Sequence, residues 1–227
     1  MGPGWDCAEL GAGAGSIAWW LSERVGPQGS VTAVDQDASL LGALADRPNV
    51  RVVQADLQTV DLGHDEFDLV HSRSVLMHLE DPDSVVAHAV AALRPGGWVF
   101  FEEADGGPAQ RAARTGQLPE PFVRVMVPLA ARWTWARGLA NDVASLGLVE
   151  VRDDVRADLL EGATPAAAFW RQTLVRIRPL VSDAARMRAL GAEPVDEDSY
   201  DAMLALLDDP GFSVPFAARH RVTGRRP

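Results

Sequence analysis

The chain has 227 residues, 47% apolar and 23% charged, a composition that excludes a disordered protein. Its 32 acidic residues outweigh 21 basic ones, and a net charge of −11 repels phosphate backbones and anionic lipid, so neither nucleic acid nor a membrane is expected as a partner. Every basic residue is arginine, which removes Schiff-base catalysis and a P-loop lysine, and the single cysteine, Cys7, excludes an internal disulfide and a thiolate metal cluster.

Residues 5–10 (WDCAEL) read as a strand running into a glycine loop, with Cys7 as a small buried hydrophobe. A helix is predicted over 15–25, with Trp19 and Trp20 packing against a sheet. A short strand, Val31–Val34, stops at Asp35. A helix follows over 37–46, then a strand over Val50–Ala55 that stops at Asp56. Phe67–His71 is strand, followed by a helical stretch through Leu79, a helix over 82–93, a Pro-Gly-Gly turn and a strand over Trp98–Phe101. This alternation predicts a parallel sheet with helices on both faces.

The character changes after residue 103. Residues 104–118 read as a loop and 119–146 as mostly helical, broken near Gly138. Leu148–Val151 is a candidate sixth strand. Helices are expected near 164–178, 182–190 and 196–208, before a last strand over Phe216–Val222. A strand, a helical excursion and a returning strand predict an antiparallel member in the sheet. The arginines at the C-terminus (Arg219, Arg221, Arg225, Arg226) read as a solvated tail in preference to a local anion site. No segment resembles a signal peptide or an apolar span of membrane length, so the expected location is the cytoplasm.

Function concentrates at strand ends, where open parallel sheets bind ligands. Residues 9–15 (ELGAGAG) form a strand–glycine loop–helix junction, in which glycines let backbone approach a ligand. The spacing is GxGxG and not the GxGxxG of a dinucleotide site. Glu9, just ahead of the loop, would repel a pyrophosphate and attract a cation. Asp35 is placed to accept both hydroxyls of a ribose. Asp56 can accept from an exocyclic amine while the Leu57 amide donates to a ring nitrogen, which is what adenine recognition requires.

With three carboxylates at three successive strand ends, the chain resembles the class I S-adenosylmethionine-dependent methyltransferases. The matching segments are ELGAGAG at 9–15, AVDQD at 33–37, VVQADL at 52–57, FDLVHSR at 67–73 and LRPGGWVFFEE at 93–103. The resemblance implies one Rossmann-like α/β domain over 1–227: a doubly wound, mostly parallel sheet with an antiparallel last strand and a helical insertion after strand 5. Residues 1–103 would be the cofactor-binding half, and 104–146 and 156–210 helical substrate or lid segments. It implies S-adenosylmethionine as cofactor. Gly11, Ala12 and Gly13 would lie along its methionine part, Glu9 at its amino end, Asp35 on the ribose with Gln36 beside the adenine, and Asp56 and Leu57 on the adenine edge. His71 and Ser72 would face the methionine end. Family members commonly carry helices ahead of the first strand; this chain begins a few residues before Trp5, so either the start given is short or 104–138 supplies the cover.

The expected reaction is methyl transfer to an oxygen, nitrogen or carbon of a small organic molecule. Among His71, His78, Glu102, Glu103 and Asp105, the choice for a general base is His78 and Glu103. Glu102 and Glu103 should point to opposite faces of their strand. Phe122, Met126, Trp133, Trp135, Phe169 and Trp170 offer apolar surface for a substrate, against the alternative of core packing, and Arg73, Arg132 and Arg171 could hold a substrate carboxylate. Two other readings stand beside this one. The first is a protein of the same fold that binds S-adenosylmethionine or its demethylated product without transferring methyl. The second is a nicotinamide-dependent oxidoreductase, against which Glu9 and the loop spacing weigh.

Overall fold

The computed structural model describes residues 1–44, 46–130, 133–189 and 194–227. The chain forms two compact units. One comprises Met1–Glu103, Trp135–Val155 and His220–Pro227; the other comprises Ala104–Thr134 and Arg156–Arg219.

The first unit begins with β1 (Asp6–Leu10), α1 (Ser16–Val25), β2 (Ser30–Asp35), β3 (Val50–Gln54), β4 (Phe67–Arg73), α2 (Pro82–Ala91) and β5 (Leu93–Asp105). α2 starts where the sequence signals it: Asp81 accepts from the Ser84 N–H and Pro82 occupies the first turn. The helix predicted over 37–46 is instead two short 3-10 turns, Ala38–Leu40 and Gly42–Leu44, and the stretch through Leu79 holds one more over Leu76–His78. A pair of apolar residues without a run of helical spacing on either side supports no more than one turn.

The chain continues through α3 (Gly107–Arg114), α4 (Glu120–Ala130), α5 (Leu139–Ser145), β6 (Val149–Glu161), α6 (Pro165–Val181), α7 (Ala184–Ala189), α8 (Glu197–Asp208) and β7 (Ser213–Arg225). α3 falls where a loop was expected. Its glycines sit at its N-terminal boundary, and the following Pro108 occupies the first turn, a position that proline tolerates.

The strands join in one sheet in the order β3-β2-β1-β4-β5-β7-β6. β1 pairs in parallel with both β2 and β4, and β4 in parallel with β5. β7 opposes them: the Gly96 N–H donates to the Arg226 carbonyl while the Arg226 N–H donates to Gly97, so the end of β7 meets the start of β5. Alternation along β1 sorts the two faces. Cys7 lies with Val31, Ala33 and Leu69 under α1, whereas Ala8 and Leu10 lie with Val85, Val86, Leu139 and Val143 under α2 and α5. Cys7 is fully buried, and burial pushes its thiol up to about 12.

Two sequence expectations change here. α1 buries Ala18, Leu21, Ser22 and Val25, which leaves Trp19 and Trp20 about half-exposed on its other flank. The Arg47 guanidinium covers the Trp19 ring at 3.5 Å, and the Trp19 indole N–H donates to Glu23. The C-terminal arginines are not a solvated tail. Along β7 and just past it, Arg219 pairs with Asp158, Arg221 with Glu102, Arg225 with Glu150 and Arg226 with Asp65.

In the second unit, Phe122, Trp133, Trp170, Phe212 and Phe216 form an aromatic core, with Trp170 and Phe216 centroids 4.9 Å apart. Phe122 and Met126 are fully buried, so most of the apolar residues considered as substrate surface fill this core; Phe169 is the exposed exception. Trp135 belongs to the first unit and donates its indole N–H to Asp83 at 2.7 Å. Arg171 pairs with Asp208, and Arg132 lies outside the described residues.

Candidate active site

The site lies at the ends of β1, β2 and β3 in the first unit. The Gly11 and Ala12 amides donate to the Val34 carbonyl at 2.8 and 3.0 Å, which ties the glycine loop to β2. Gly11 has φ +71°, and a Cβ there would sit 2.3 Å from Val75 Cγ2. Glycine is required at this point for both conformation and space. Gly11→Ala is expected to cost about 2 kcal/mol of stability, read from the denaturant midpoint.

Asp35 ends β2 and holds the loop from the other side. Its Oδ2 accepts from the Gly13 N–H at 2.7 Å and its Oδ1 from the Asp37 N–H at 3.0 Å. Each carboxylate oxygen retains capacity for a second bond. Asp56, after β3, accepts from the Gln58 N–H at 2.9 Å. Gln36 accepts through its backbone carbonyl from the Gln54 side chain.

A cavity of about 420 Å³ opens between these strand ends. Gly11, Asp35, Gln36, Asp56 and Leu57 line it, together with Ala55 and the segment after β4: Ser74, Val75, His78 and Leu79. Five of the residues singled out for a cofactor therefore share one hollow, and His78 is the imidazole among its described lining.

Glu9 and His71 are placed elsewhere. Parallel register sets them side by side on β1 and β4, and Glu9 Oε2 lies 2.7 Å from His71 Nδ1. Both are buried, and burial raises the Glu9 carboxyl above its usual range despite the opposing bond from His71. His71 stacks on Phe100 and lines a separate cavity of about 330 Å³ with Trp5, Trp20 and Trp98. Ser72 is fully buried, and its hydroxyl has no hydrogen-bond partner among the described residues.

The two glutamates ending β5 point to opposite sides, as alternation requires. Glu102 pairs with Arg221 at 2.6 Å. Glu103 is fully buried and turned toward the segment after β4. Its Oε1 accepts from the Val75 and Leu76 amides at 3.1 and 3.0 Å, and its Oε2 from Met77 at 3.4 Å. Burial pushes its carboxyl up to about 7, outweighing the three amides that favour the charged form. Its described hydrogen bonds all run to the backbone of this segment. Asp105 is buried and accepts from the Gly107 N–H, the start of α3.

The donor set fits a nucleoside without phosphate. The hollow has carboxylates at two strand ends, a free-approach backbone at Gly11, and neither arginine nor lysine in its described lining. A family model described as a methyltransferase domain matches residues 8–101, which span all of these strand ends. Over these residues the chain is similar to the methyltransferase domain family. S-adenosylmethionine is the cofactor of that family.

Among the curated relatives of this chain, Methyltransferase str2 of Strobilurus tenacellus is 34% identical over 98 residues, covering 42% of this chain and 35% of the relative. The curated relatives it matches are thus covered over less than half of their own length. Two solved structures share the fold. Haemonchus contortus phosphoethanolamine N-methyltransferase 2, complexed with phosphomonomethylethanolamine and S-adenosylhomocysteine, has a TM-score of 0.61 at 16% identity, with 100% of this chain and 50% of that one covered. The [4+2]-cyclase SpnF has 0.59 at 15%, with 100% and 76% covered. These identities speak to fold alone, and the fold houses more than one chemistry.

Sequence reasoning missed Ser74, Val75 and Leu79 as cavity wall. The glycine at position 11 signals a close approach, but nothing local says that Val75 is what approaches. None of the helices in the described residues is long and apolar enough to cross a membrane.

Proposed function

We propose that this chain binds S-adenosylmethionine in the 420 Å³ hollow and transfers its methyl group to an oxygen, nitrogen or carbon of a small organic molecule. The observation that carries the reading is the convergence of Asp35, Asp56 and the Gly11 backbone on one cavity. Asp35 accepts from the ribose hydroxyls with the capacity its loop bonds leave over. Asp56 accepts from the exocyclic amine and the Leu57 amide donates to the adenine ring. When bound, the cofactor supplies an electrophilic methyl on a sulfonium. Alignment of the acceptor then does much of the work. His78 takes the proton of a hydroxyl or phenol acceptor, and Ser72, with its buried unpartnered hydroxyl, donates toward the methionine end.

Titration of the purified chain with S-adenosylhomocysteine and, separately, NAD tests the reading. A rise in melting temperature with the first and none with the second supports it; a shift with NAD alone reverses it. Incubation with methyl-labelled cofactor and candidate acceptors then separates transfer from binding without transfer, because transfer releases S-adenosylhomocysteine in step with product. His78→Ala is expected to lower turnover about a hundredfold while S-adenosylhomocysteine affinity stays within about twofold. Unchanged turnover removes His78 from the role.

A further inference from the structure

Glu103 spends its carboxylate on backbone. It lies at the end of β5 and shows no surface to solvent. Its three bonds all go to consecutive amides, Val75, Leu76 and Met77. Those amides open the 3-10 turn Leu76–His78, whose first donors have no partner within the turn. The turn carries two residues of the cavity wall, Val75 immediately before it and His78 at its end. Val75 Cγ2 is also the atom that a Cβ at position 11 would strike, so its position sets how closely the glycine loop and the segment after β4 can approach. One buried side chain thus fixes the wall that faces Asp35 and Gly11 across the hollow.

Keeping an ionisable group dry is costly, and the same three amides could be satisfied by water in a loop left at the surface. The burial of Glu103 instead gives the segment a single position before any ligand arrives. Preorganisation of this kind raises affinity because the ordering need not be done on binding.

Resting on the methyltransferase reading above, we propose that Glu103 is a positioning residue for the cofactor: it contacts no part of the ligand and sets affinity by clamping Val75 to His78 against the glycine loop. Glu103→Ala releases all three amides. Glu103→Gln keeps an oxygen for Val75 and Leu76 but presents an N–H₂ group to the Met77 N–H.

The test pairs S-adenosylhomocysteine titration calorimetry with amide hydrogen exchange on the full chain. Glu103→Ala is expected to weaken binding about tenfold or more and to speed exchange at residues 75–77, with exchange along β2 unchanged. Glu103→Gln is expected to recover most of the affinity, within about threefold of wild type, with the exchange increase confined to Met77. Wild-type affinity in Glu103→Ala overturns the proposal. So does equal loss in both variants with faster exchange everywhere, the signature of general destabilisation. If Glu103→Ala does not fold, Glu103→Gln decides: exchange at Met77 and affinity both unchanged overturns the clamp. Failure of the wild-type chain itself to bind S-adenosylhomocysteine overturns the methyltransferase reading and this proposal with it, whereas wild-type binding with an indifferent Glu103→Ala overturns this proposal alone.

Discussion

Asp35→Ala is expected to raise the dissociation constant for S-adenosylhomocysteine about a hundredfold. The residue has two duties. It receives the Gly13 and Asp37 amides, and it offers its remaining acceptor capacity to the cavity it lines. A hydrogen bond to a charged group contributes roughly 1.5–3 kcal/mol, so losing a ribose contact together with the loop restraint reaches about 2.7 kcal/mol without further assumption. Asp35→Asn separates the duties. It retains one oxygen and the shape but replaces an acceptor with a donor, and its loss is expected to be about tenfold. Calorimetric titration checks both, and a change below about threefold in the alanine variant takes the ribose away from Asp35.

The second large effect concerns stability and its dependence on pH. Glu103 has its folded-state carboxyl pushed up to about 7 from a usual value of 4.5, chiefly by burial. A carboxyl raised on folding holds its proton more tightly in the native state. Its contribution is therefore fully present below the unfolded value and is lost as pH rises through the folded value. The loss across that window is about 3 kcal/mol. Glu103→Gln cannot ionise. Its stability relative to wild type is thus expected to climb by about this amount between roughly pH 4.5 and 8, then to level off. Urea unfolding at a series of pH values measures the difference; a flat difference over that range means that Glu103 ionises as it would in water. Glu102 beside it, held by Arg221, adds a smaller push in the same direction. Glu9 is raised as well, again through burial, so the Glu103→Gln chain itself keeps part of the pH slope.

The two effects draw on a common design. Asp35 fixes the glycine loop from β2, and Glu103 fixes the opposite wall from β5. Both use a carboxylate to satisfy backbone amides that strands and turns leave open. On the proposed reading the hollow exists before a nucleoside arrives, with its walls held by carboxyl-to-amide bonds and its closeness set by one glycine.

Much of this could be read from residues alone. The order of strands and helices through residue 103 follows from apolar runs punctuated by glycine, proline and aspartate, because a buried parallel strand needs little else to declare itself. The positions of Asp35 and Asp56 follow too, since a residue that stops such a strand must sit at its exit. The failures have physical causes as well. The turns over Ala38–Leu40 and Gly42–Leu44 look helical because short apolar spacing cannot distinguish one turn from three. α3 looked like a loop because its glycines mark its start and were read as breaking it throughout. The tail arginines looked solvated because their partners, Asp158, Glu102, Glu150 and Asp65, are distant in sequence.

The sequence by itself pointed to a phosphate-free nucleoside site at the exits of neighbouring parallel strands, because charge type and strand ending are local properties. Tertiary structure alone decided which carboxylates share the hollow. Cross-strand register sent Glu9 to His71, and alternation along β5 sent Glu103 to the amides of Val75–Met77, while Asp35 and Asp56 kept the cavity. A side chain's partner depends on what neighbouring strands bring beside it, and that pairing is fixed only when the whole sheet assembles.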